Sequence, residues 1–103
     1  MKKVIDGKVY NTDTADLIAS YNNGMSRRDF GWCEEDLYKT KKGAWFVHGE
    51  GGAASRWAEQ VRKNEFRGGE GIEMLSEIDA RTWCETHGVD ADTITEYFPV
   101  EEA

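Results

Sequence analysis

Two short apolar pairs, Val4-Ile5 and Val9-Tyr10, flank a polar centre near the start of the chain. Val4-Ile5-Asp6-Gly7-Lys8-Val9-Tyr10 reads as a hairpin, because Asp6-Gly7 is a favoured two-residue turn and its flanks are β-branched or aromatic. The pattern then changes. Thr12, Asp13 and Thr14 offer N-cap side chains, and Ala15, Leu17, Ile18 and Tyr21 recur at helical spacing, so a helix is expected over residues 14–21, ended by Asn22-Asn23-Gly24. Residues 25–33 carry no period and read as a loop or short turn. Residues 35–40 read as a strand with either Leu37 or Tyr38 inward. Lys41-Lys42-Gly43 supplies a turn, and Ala44-Trp45-Phe46-Val47-His48 is the clearest strand of the chain, completing a second hairpin.

Gly49-Glu50-Gly51-Gly52 is expected to break the sheet. Residues 53–63 have helix-compatible composition with Trp57 and Val61 at i, i+4, and residues 64–71, with three glycines, read as a loop. Ile72-Glu73-Met74-Leu75 is a short strand at a possible sheet edge. Ser76 with Asp79 forms an acid version of a capping box for a helix over 77–87 that turns Ala80, Trp83, Cys84 and His87 to one face. Gly88 stops it. Asp90 or Asp92 caps a last short helix that turns Ile94, Tyr97 and Phe98 inward and ends at Pro99, leaving 99–103 as a flexible tail. Hairpins without a βαβ rhythm or internal repeat imply one α+β domain over residues 1–103, a small antiparallel sheet of hairpins packed on one side by helices.

Composition tests that picture. Leu, Ile, Val and Phe make up only 18 of 103 residues, under the ~20% that accompanies disorder in highly charged chains. Four Trp and four Tyr offset the deficit, so the expected core is rich in aromatic rings, with Trp45 and Trp83 as its first members. No apolar run is long enough to span a bilayer, and Met1-Lys2-Lys3-Val4-Ile5-Asp6 reaches charge before a signal-peptide core could form. A cytoplasmic protein is the expectation.

Charge is uneven. The net value is −7. Residues 1–64 hold nine acids and eleven bases, whereas residues 65–103 hold eleven acids and only Arg67 and Arg81 as bases. Such a field disfavours direct nucleic-acid binding or an anionic membrane surface and suits either a basic partner or plain solubility. Glu70, Glu73, Glu77, Glu85, Asp90, Asp92 and Glu96 form the first candidate partner-binding patch, with Glu77-Arg81 as an i, i+4 pair. Glu34, Glu35 and Asp36 form a second; Glu34 and Asp36 would share one strand face, as metal ligands might, although a solvated strand start is the commoner meaning. Spaced carboxylates on a rigid surface can imitate a row of phosphates and so engage a protein that grips nucleic acid through Lys and Arg.

Other chemistry is sparse. His48-Gly49-Glu50-Gly51-Gly52 lacks the Lys-Ser/Thr of a phosphate loop and the GxGxxG spacing, and a tight turn explains it. Gly68-Gly69-Glu70-Gly71 has the same explanation. Cys33 and Cys84 show no CxxC spacing, the two histidines no HExxH spacing, and no metal or cofactor is expected. Cys33, His48 and Glu50 could form an acid–base or nucleophilic set only if folding brought them together. His87 falls in the last turn of its helix, where His commonly meets the terminal carbonyls.

Three segments carry a family resemblance over roughly residues 3–98. They are Ile5-Asp6-Gly7-Lys8-Val9-Tyr10-Asn11-Thr12 with Asn23-Gly24 and Asp29-Phe30; Cys33-Glu34-Glu35-Asp36-Leu37-Tyr38-Lys39-Thr40-Lys41-Lys42-Gly43 with Trp45-Phe46-Val47-His48-Gly49-Glu50-Gly51-Gly52; and Leu75-Ser76-Glu77 leading to Trp83. The chain resembles small acidic proteins carried by phages and other bacterial mobile elements. In size, charge and mobile-element character it also resembles anti-CRISPR proteins. Those share no common motif, so the resemblance transfers no residue role. It implies a non-enzymatic inhibitor of a type I CRISPR effector that covers a basic DNA-handling surface with acids. Two other functions compete with it: a small ligand-binding domain or enzyme around Cys33, His48 and Glu50, and a mobile-element adaptor anchored by exposed Trp or Tyr.

Overall fold

The computed structural model describes residues 1–103. The chain runs β1 (Lys2–Ile5), β2 (Lys8–Asn11), β3 (Asp16–Asn22), β4 (Cys33–Lys39), β5 (Trp45–Gly51), β6 (Glu59–Arg62), β7 (Glu65–Arg67), β8 (Gly69–Leu75), α1 (Glu77–Thr86) and α2 (Ala91–Tyr97). β1 and β2 form the hairpin expected from Asp6-Gly7. Both turn residues have positive φ, 51° and 76°, which is the geometry that two-residue turn requires. The central sheet has the order β3-β4-β5-β8 with every pair antiparallel, and β6 with β7 forms a separate ribbon.

The helix expected over 14–21 is instead β3. Its pairing to β4 shifts between Leu17 and Ala19, so Ile18 is a bulge. The extra residue breaks strand alternation and puts Ile18, Ala19 and Tyr21 on the half-buried side. The bulge thereby hides the alternation by which a strand is recognised, while Leu17, read as part of a helix face, is exposed. The helix expected over 53–63 is likewise absent: residues 53–58 form turns, and β6 follows. The loop expected over 64–71 contains β7 and the start of β8. Asn64, at φ 61°, supplies the left-handed turn between β6 and β7. Every residue of both strands is exposed.

Gly49–Gly52 does not break the sheet. Gly49 to Gly51 complete β5 and pair with Gly71 to Gly69. Their meaning is close approach. A β-carbon on Gly49 would lie 2.1 Å from the Trp57 indole, and one on Gly51 would lie 2.3 Å from the Ser55 hydroxyl. The glycines leave a trough on one face of β5, and the 55–57 segment fills it.

The sheet separates two hydrophobic clusters. On one face Leu37, Trp45 and Val47 pack against Ala80, Trp83 and Cys84 of α1 and Phe98 beyond α2. On the other, Phe46 and Ile72 pack under Tyr10 of β2. Phe46 meets Tyr10 edge-on at 5.6 Å and stacks on Tyr38 at 5.1 Å. Phe46, Leu37 and Val47 are fully buried, each contributing about 1.5–3 kcal/mol relative to exposure. Trp32 joins Trp45 and Trp83 as a buried ring, so aromatics do replace the missing aliphatics.

The C-terminal helices start as their sequences indicate. Ser76 accepts the Asp79 amide at 3.0 Å, and Asp90, not Asp92, caps α2 by accepting the Thr93 amide at 2.7 Å. Arg81 lies 3.9 Å from Glu85 in place of the expected Glu77 pairing.

Candidate functional site

Strand alternation sorts the acids. On β4, Cys33, Glu35 and Leu37 face the helices, whereas Glu34, Asp36 and Tyr38 face the other way. Glu34 is directly opposite Glu50, and Glu50 is directly opposite Glu70. Three carboxylates thus cross three strands in one row. Neighbouring strands in a sheet are about 4.7–4.9 Å apart. Asp36 and His48 are opposite one another on the same face, two residues along.

Like charges directly opposite one another in a sheet are destabilising. Few cations offset them here. Arg27 reaches Glu34 at 3.6 Å and Glu50 at 3.4 Å, but its side chain is 70% exposed, and exposed pairs contribute ~0–1 kcal/mol. His48 Nε2 lies 2.9 Å from Glu70, and Asn22 donates to Glu34 at 2.9 Å. A depression of about 540 Å³ adjoins the row, lined by Glu50, Glu59 and Glu70 with Met1.

The two acid patches read from sequence regroup on this framework. Glu70 joins Glu34 and Asp36. Glu73, three residues further along β8, points to the helix side, where Arg56 bonds it at 2.9 Å. Glu77, Glu85, Asp92 and Glu96 are exposed on α1 and α2, and Asp90 caps α2. Glu50 is a row member absent from either sequence patch. Reading Gly49–Gly51 as strand was the step that would have placed it.

Glu35 is not a surface acid. It is 3% exposed, so its place in a partner-binding patch is corrected. Oε2 accepts from Arg56 Nε at 2.6 Å and Trp57 Nε1 at 2.9 Å; Oε1 accepts from Trp83 Nε1 at 2.8 Å. Burial pushes the carboxyl pKa up. The bonds from Arg56, Trp83 and Trp57, with the Arg56 charge, more than reverse this and hold it at about 2. The same contacts keep the Arg56 guanidinium firmly charged. Cys33 donates to Glu35 at 3.7 Å. Burial, then the Glu35 charge and that bond, raise the thiol pKa, which leaves it a poor nucleophile at neutral pH. His87 Nε2 lies 3.8 Å from Glu35, and its ring stacks on Tyr21 at 3.9 Å. Burial lowers its pKa and outweighs the attraction of Glu35.

Cys33, His48 and Glu50 do not converge. Cys33 faces the helices, whereas His48 and Glu50 face the acidic side of the sheet. No group of three or more His, Cys, Asp or Glu is placed to hold a metal ion. Nor does the fold expose a large aromatic anchor from tryptophan: Trp32, Trp45 and Trp83 are buried and Trp57 is half-buried. No helix is long and apolar enough to cross a membrane. No protein-family model, curated protein or solved structure matches the chain.

Proposed function

We propose that this protein is a non-enzymatic inhibitor that binds a basic, nucleic-acid-handling surface of a partner protein through the acidic end of one sheet face. The reading rests on the cross-strand row Glu34, Glu50 and Glu70, flanked by Asp36. A rigid row of acids held against its own repulsion offers a fixed set of charges to arginines and lysines that otherwise hold phosphates. The acids of α1 and α2 add a long-range field that speeds encounter without specifying register.

The resemblance to anti-CRISPR proteins supplies the partner class, the DNA-handling subunits of a type I CRISPR effector in the bacterial cytoplasm. The inhibitor would occupy the surface that target DNA requires, without itself binding nucleic acid. Rescue of plasmid survival in bacteria carrying one active CRISPR system at a time tests this. Rescue against a type I system, abolished by charge reversal at Glu34, Glu50 and Glu70, is the expected result. Rescue that survives the reversal, or no rescue against any system, overturns the reading.

A further inference from the structure

At the opposite end of β4 and β5 from the acidic row, a cavity of about 520 Å³ opens between the tip of the β1–β2 hairpin and the turn that joins β4 to β5. Two tight turns form its rim. Gly7, at φ 76°, lies in one, and Gly43, at φ 90°, lies in the other, where its amide bonds the Thr40 carbonyl at 2.9 Å. Buried Tyr10 and half-buried Ala44 supply an apolar wall.

The charge of this lining is the reverse of the rest of the molecule. Acids outnumber Lys and Arg by 20 to 13 over the chain, and each of the other four surface depressions is lined by at least two carboxylates. No acid lines this one, whereas Lys8, Lys41 and Lys42 do. Asp16 neutralises Lys41 at 2.6 Å. Lys8 and Lys42 form no ion pair with any acid. Two ammonium groups without counter-ions thus border one cavity. The Thr40 hydroxyl adds a donor beside them: its oxygen accepts the Ala44 amide at 3.0 Å, and its own proton remains to be given.

We infer that this cavity binds a phosphoryl group, with Lys8 and Lys42 as its counter-ions and Thr40 as a hydroxyl donor. A phosphoryl group suits the lining better than a carboxylate. Lys holds phosphate as a point charge, whereas the planar carboxylate fork is matched by Arg, and no Arg lines the cavity. A phosphate monoester carries about −1.5 to −2 charges at pH 7, enough to answer both free lysines, and its oxygens are strong acceptors. Its source is either a small phosphate ester or free phosphate. The volume lies within the ~300–1,000 Å³ of small-ligand sites, which leaves room for an ester body against Tyr10 and Ala44. The site is separate from the acidic row, and its occupancy does not depend on the function proposed above.

Titration of the whole protein with inorganic phosphate, adenosine monophosphate and adenosine at one ionic strength, followed by the Tyr10 ring and Ala44 methyl resonances, tests this. Saturable shifts with the phosphate-bearing probes and none with adenosine are expected. Tighter binding of the monophosphate assigns the site to an ester, and equal binding assigns it to the free anion. Lys8→Gln and Lys42→Gln should each weaken binding by about tenfold, the loss typical of one charge-assisted hydrogen bond. Lys63→Gln, between β6 and β7, removes the same charge outside the cavity and should leave binding unchanged. All three lysines are exposed, and thermal unfolding of the variants checks that the fold persists. Saturation by neither phosphate probe, equal binding of adenosine, or an equal loss with Lys63→Gln overturns the assignment.

Discussion

Trp83 donates its indole N–H to Glu35 at 2.8 Å, joining positions 48 residues apart. The bond ties the second half of α1 to the middle of the sheet. With Arg56 and Trp57 it makes a buried acid a cross-link between three distant segments.

Glu35→Gln should destabilise the fold by about 2–4 kcal/mol, because one oxygen is replaced by an NH2 group that faces N–H donors and Arg56 loses a partner. Urea unfolding reads this directly. A change below about 0.5 kcal/mol, the level of ordinary surface substitutions, would show that the cluster carries little of the stability.

Stability should fall with acid in two stages. His87 has a depressed folded pKa, so the unfolded chain takes up a proton first once pH drops below ~6.5. Glu35, held at about 2, also binds its proton first in the unfolded chain. Its contribution of about 3 kcal/mol is complete above pH ~4.5 and is lost as pH falls towards ~2. Urea midpoints at pH ~7.5, ~5.5 and ~3.5 should therefore decrease in that order. An unchanged midpoint over the first step would contradict the account of His87.

Gly49→Ala should cost about 1–3 kcal/mol by forcing Trp57 off the strand. Tryptophan fluorescence should shift to the red as the indole gains water. Combining it with Trp57→Leu should cost less than the two single changes added together, because both act on one contact. Strict additivity would mean that the ring and the glycine do not compete for the same space.

Glu50→Gln removes the middle charge of the row. Stability should change by no more than about 0.5 kcal/mol, since relief of like-charge repulsion offsets the lost Arg27 contact. Partner binding should weaken, and its dependence on salt should become shallower. A fold-destabilising effect without loss of binding would make Glu50 a structural residue.

Local chemistry made some elements legible. Asp6-Gly7 and Ser76 with Asp79 carry their geometry in two to four adjacent residues, and the hairpin and α1 appear where those signals stand. Two features concealed the rest. The bulge at Ile18 disguised the strand, since one extra residue breaks the period of two and leaves Ile18, Ala19 and Tyr21 on one side. Glycine in β5 looked like a breaker because its purpose, room for Trp57, is visible only when residues eight positions apart meet.

The acidic site was half legible for a related reason. Charge counting found the acids but not their sides of the sheet. Phase decides that: with Leu37 inward, Glu35 must also point inward and Glu34 and Asp36 outward. The sequence leaves Leu37 and Tyr38 equally placed to face the core. A carboxylate matched by two indoles and a guanidinium is a tertiary arrangement with no local signature.

The Glu35 cross-link also orders events during synthesis. β4 leaves the ribosome well before α1, and translation of the intervening residues takes on the order of seconds. Through that interval Glu35 lacks the Trp83 indole, and its burial would be unfavourable. The nascent sheet must therefore keep this face wet until the C-terminal third arrives. A stalled or prematurely terminated chain would present an unlatched sheet face to quality-control proteases, whereas only full-length chains close it.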